Sequence, residues 1–76
     1  MSAAGVRAHL ACVQRMMLSN AAKRRLLTKL WRMACDEASR LSRYGDDEAR
    51  SMHDAALAVS DALDSLGAVY GEGAAA

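Results

Sequence analysis

Four side chains have the types that hold a zinc ion: His9, Cys12, Cys35 and His53. His9 and Cys12 stand three residues apart, which on a helix turns both the same way, and a chain that doubles back would bring Cys35 toward His53. A tetrahedral His₂Cys₂ site needs all four to converge, and no CxxC or CxxxC pair fixes even two of them locally. Cysteine also fills apolar cores as a small hydrophobe, so the sequence is read as holding no metal.

The other reactive residue types also lack the spacing that chemistry requires. Asp36-Glu37 and Asp46-Asp47-Glu48 are neighbours in sequence rather than carboxylates facing each other across a cleft. Ion pairing and compensation of a helix dipole explain such positions better than acid–base catalysis. Serine, histidine and aspartate are all present, without a GxSxG elbow, and no GxGxxG or GxxxxGK phosphate loop occurs. A chain of 76 residues also has little room for a pocket of the usual few hundred Å³. The expectation is a non-enzymatic protein with no cofactor and no small-molecule substrate.

The elements that would position any site are helices. Proline and phenylalanine are absent, and alanine, leucine, methionine and arginine dominate, all of them good helix formers. In the last third, Ala49, Met52, Ala56, Val59, Leu63, Leu66 and Tyr70 follow at spacings alternating between three and four. That is a continuous apolar seam on one helix. Asp46, Asp47 and Glu48 precede it, where carboxylates meet the positive end of the helix dipole. Leu27, Trp31, Ala34, Ala38 and Leu41 form a matching seam upstream, and Gly45 after Tyr44 suits a left-handed helix stop.

So short a connection forces antiparallel neighbours. The sequence therefore predicts an all-α fold: a hairpin of two matched helices over about 20–43 and 46–69, plus an N-terminal helix within residues 2–18 that carries Val6, Leu10, Val13 and Met17. Ser19 and Asn20 are good caps for a break before the middle helix; the alternative is one uninterrupted helix from about residue 4 to Arg43. Gly67 and Gly71 are candidate stops, giving one domain over 1–70 and a flexible tail over 71–76.

Leu26, Leu30 and Met33 widen the apolar face of the middle helix beyond one seam, so that helix needs a second neighbour. The neighbour is either the N-terminal helix, closing a three-helix bundle, or a second chain in an intertwined dimer. A chain this short buries only roughly 60% of its unfolded surface, which favours added stabilisation by a partner subunit. Two cysteines cannot make a disulfide framework, and no secretion signal or run of eighteen apolar residues is present. A cytoplasmic setting is expected.

Charge is divided along the chain. Residues 1–45 carry nine Arg and Lys against two acids, and residues 46–76 carry Arg50 against seven acids, so a net charge of +1 hides halves of +7 and −6. Arg25, Lys29, Arg32, Arg40 and Arg43, with Arg24 beside them, make a basic stripe opposite the seam; Asp47, Asp54 and Asp61 make an acidic one. The plain reading is two solvated faces with local pairs such as Asp36–Arg40 and Asp46–Arg50.

The favoured functional reading is a protein-binding regulator or inhibitor that joins itself, another protein, or both. Small accessory proteins of the phage or plasmid type that act on a host protein have this size. Its interface would comprise Leu26, Leu30, Trp31, Met33, Met16 and Met17, whose aromatic and methionine content suits a docking surface. The first alternative is nucleic-acid binding through Arg24, Arg25, Lys29, Arg32, Arg40 and Arg43. The second, ranked lowest, is a membrane-surface helix over residues 23–33.

Overall fold

Each of the first two helices begins where the sequence supplies a hydroxyl cap. In the computed structural model, which describes the backbone of residues 1–75 and the side chains as far as Leu66, α1 spans Ala3–Arg15, α2 spans Asn20–Leu41 and α3 spans Asp46–Ala75. Ser2 Oγ accepts from the Gly5 N–H at 3.0 Å and Ser19 Oγ from the Ala22 N–H at 3.2 Å. Each bond satisfies one of the orphan donors that every helix start leaves. Between the helices Met16 is extended (φ −68°, ψ 142°), so the chain breaks ahead of Ser19 and the single long helix is excluded. Lys23, in the first turns of α2, donates from Nζ to the Gln14 carbonyl at 3.1 Å. A cation thus sits at the negative end of the α1 dipole and ties the two helices at that corner.

The turn between α2 and α3 departs from the sequence reading. α2 ends at Leu41, two residues before Arg43, and the Leu41 carbonyl accepts from both the Tyr44 N–H (2.9 Å) and the Gly45 N–H (3.1 Å). That double acceptance closes the helix without a left-handed residue, and among the described residues no glycine has positive φ. Gly45 instead serves as the N-cap of α3: its carbonyl accepts from the Ala49 N–H at 3.4 Å, the first bond of that helix. Further on, α3 runs through Gly67 and Gly71 to Ala75. The side chain of Tyr70, expected in the seam, and those of the tail expected over 71–76 lie outside the described ones.

The fold is all-α, a three-helix arrangement in which α2 and α3 form the antiparallel hairpin and α1 packs on it. Among the described residues ten buried apolar side chains make the core: Val6, Leu10 and Val13 from α1, Leu27, Leu30 and Ala34 from α2, and Met52, Ala55, Ala56 and Val59 from α3. Two of these, Leu30 and Ala55, were not in the expected seams. Leu41 and Ser51 line the depression that also contains Ser2 and Ala3 of α1. Leu30 lies on the stripe of Leu41, three turns earlier, and Ala55 one turn beyond Ser51, so both occupy the α1 side of the hairpin. The second neighbour that the broad apolar face of α2 requires is therefore α1, and the closed version of the bundle forms within one chain.

Adding that neighbour rotates α2. Its buried stripe becomes Leu27, Leu30 and Ala34, while Trp31 moves to the rim at 37% exposure and Ala38 and Leu41 are half-buried. No buried polar side-chain atom lacks a partner among the described residues, so the core is apolar throughout.

Two stability predictions follow from these positions. Leu30→Ala should cost about 2–5 kcal/mol in denaturant unfolding, whereas Met33→Ala, three residues away and exposed, should stay within about 0.5 kcal/mol. Equal effects would contradict the rotation of α2. At Gly45 a Cβ meets no atom within 4 Å. Gly45→Ser adds a cap hydroxyl and stiffens the unfolded chain, so it should raise stability by about 0.5–1 kcal/mol, read as a higher Tm. A fall in Tm would mean that the residue needs a left-handed backbone after all.

Candidate protein-docking surface

The six side chains expected to form one interface are divided by the fold. Leu30 is 1% exposed and belongs to the core, so it contributes shape to the surface above it and no contact area. Leu26 and Met33 are exposed and seven residues apart, which places them on one stripe of α2. Trp31 follows Leu26 by five residues, roughly 140° around the helix. The buried stripe separates them: Leu26 and Met33 flank it on the side of Leu30, and Trp31 flanks it on the other. Met16 and Met17 stand in the α1–α2 connection with Leu18, all three exposed and Met17 completely so. Five of the six are exposed and Leu30 is not, and the five form two edges and a corner rather than one patch.

The second edge borders a trough along the hairpin on the side away from α1. Cys35, Ala38, Ser39 and Ser42 of α2 face Ala49, Arg50 and His53 of α3 across about 650 Å³ of open space. Continuing the helical spacing by one turn brings Trp31 to the α2 wall and Leu57 to the α3 wall. Leu57 is half exposed and was not singled out from sequence, because it lies outside the seam of α3. Its signal was there to find: a leucine off the seam and among acids has no intramolecular reason to be large and apolar.

Of the zinc-type side chains, Cys35 and His53 do share this trough, while His9 and Cys12 are carried by α1 and are exposed. Among the described residues no three such groups are gathered closely enough to hold an ion. A second depression, about 690 Å³, is lined by Ala21, Arg24, Arg25, Leu26, Thr28 and Lys29. All six come from one helix, so it is a gap between long side chains with no opposing wall.

The basic residues Arg24, Arg25, Lys29, Arg32, Arg40 and Arg43 are all exposed, as are Asp47, Asp54, Asp61 and Asp64 on α3. Neither expected local pair forms. Arg40 instead bonds Glu37, one turn before it, in the one ion pair among the described residues. Glu37 is the more sheltered of the two acids available, with a side chain 19% exposed, so its carboxylate is held closer to the helix surface than that of Asp36. Among the described residues no ion pair therefore joins the two stripes across the hairpin. No helix among the described residues is long and apolar enough to cross a membrane.

No protein-family model, no characterised protein and no solved structure matches the chain.

Proposed function

We propose that this protein works by docking on another polypeptide, as a small non-enzymatic regulator or inhibitor, rather than by transforming a substrate. The observation that carries the reading is the number of large apolar side chains left in solvent by a core that is otherwise complete: Met16, Met17, Leu18, Leu26, Trp31, Met33 and Leu57. A bundle whose buried side chains are satisfied does not need these residues for its own stability. Isolated exposed apolar residues are ordinary, but here they line the two edges of α2, the facing wall of α3 and the corner between α1 and α2. Methionine and tryptophan adapt to and anchor on a partner surface, and the surrounding charges set orientation and rate of approach. A target in a host cell, met by an accessory protein of phage or plasmid type, suits the size of the chain.

A second reading, nucleic-acid binding, is favoured by the exposed basic side of α2, of which only Arg40 has an ionic partner among the described residues. The two readings separate in one capture experiment on the intact protein, with and without nuclease. Under the docking reading the captured partner survives nuclease, tolerates salt, and is lost on Leu26→Glu with Met33→Glu. Under the nucleic-acid reading it disappears with nuclease and with Arg25→Glu plus Arg32→Glu, and affinity falls by orders of magnitude between low and physiological salt. The second pattern would replace the docking proposal.

A further inference from the structure

We infer that the Trp31–Leu57 edge of the hairpin is a self-complementary surface, and that its occupant is a second copy of this chain. The inference deepens the docking reading by naming a first partner, and it rests on that reading for the premise that the exposed apolar edges are there to be covered.

Register within the hairpin supplies the geometry. Leu27 lies level with Ala62 and Leu66, and Ser42 with Asp46. Trp31 therefore falls level with Leu57, Arg25 with Asp64, and Arg43 with Asp46. If two hairpins face each other about a two-fold axis parallel to the helices, heights are preserved and α2 of each copy lies over α3 of the other. Trp31 then meets Leu57 of the second copy, and Leu57 meets the second Trp31. At the rims Arg25 meets Asp64, and Arg43 meets Asp46. Every neighbouring pair of helices in the resulting four-helix layer is antiparallel, as in other bundles. Turning the axis across the helices would instead set two basic α2 faces together, which like charge opposes.

Two further observations point to the same occupant. The halves of the chain carry opposite charge, and among the described residues no ion pair joins α2 to α3 within the molecule. Those charges are available to a surface of inverse pattern, and this chain itself is such a surface. Cys35, Ala38, Ser39 and Ala49 are small and, between the larger Arg50 and His53, permit approach of a second helical layer.

Sedimentation equilibrium of the purified intact protein at micromolar concentration tests the inference, with helicity of each variant checked by circular dichroism. The wild type should be a dimer, and the emission of Trp31, the sole tryptophan, should shift to longer wavelength on dilution. Leu57→Glu, at an exposed position, should keep its helicity and weaken the dimer at least about tenfold. Arg25→Glu should weaken it too, and adding Asp64→Arg to that variant should restore it. Met33→Glu, on the other edge, should leave it unchanged. A monomer throughout the range would overturn the inference, as would a dimer that Met33→Glu breaks and Leu57→Glu does not. Either result would leave the capture of a foreign partner on Leu26 and Met33 to be judged separately.

Discussion

The packing of α1 against one side of the hairpin sets everything else in this molecule. Val6, Leu10 and Val13 bring a third apolar stripe to two helices that, alone, would share a narrow seam with nothing above it. Once that stripe is in place, α2 buries Leu30 against it and α3 buries Ala55, and α2 is turned accordingly. The turn carries Trp31 to the far rim. One choice, which side of α2 faces inward, thus decides both where the core lies and which apolar residues remain outside. The short linker and the Lys23–Gln14 bond hold α1 to that side.

The core that results is made of small and medium side chains. Ala34, Ala55 and Ala56 sit among the leucines and valines, and among the described residues no aromatic ring is buried and no polar group has been taken in with them. Helices faced by alanine can approach closely, and the stability of the bundle then comes from many modest contacts rather than from a few large ones. Such a core is complete without the exposed leucines and methionines. That completeness separates the residues that make the fold from those available for binding. The charges separate in the same way: the basic side of α2 and the acidic side of α3 both point away from the core, and among the described residues local pairing joins only Arg40 to Glu37.

Much of this was legible in the sequence because it is periodic or capped. The hairpin, its direction and the seam from Met52 to Val59 follow from spacing and the acids at 46–48, while Ser19 left the break before Asn20 as one of two alternatives that the structure decides. The position of Trp31 was not legible, because seam spacing at three and four tolerates either Leu30 or Trp31 as the inward residue and only a third helix decides between them. The helix stop at Gly45 was misassigned for a local reason. Glycine permits a left-handed cap without requiring one, and the Leu41 carbonyl is satisfied by two N–H groups from a right-handed turn. Ion pairs were misassigned because exposed pairs at three and four residues differ too little in energy for spacing to choose. The candidate site suffered most, since Leu26, Met33 and Trp31 look contiguous in sequence and are divided by the buried stripe in space.

The five methionines are placed so that one chemical probe reads the whole arrangement. Met52 is buried at 1% exposure, Met1, Met16 and Met33 are exposed, and Met17 is fully so. Mild peroxide oxidation of the native protein, followed residue by residue with mass spectrometry, should convert Met17, Met33, Met16 and Met1 to sulfoxide long before Met52. Oxidation of Met52 at the rate of Met17, or protection of Met33 together with Met52, would show that α2 and α3 do not meet on the seam described.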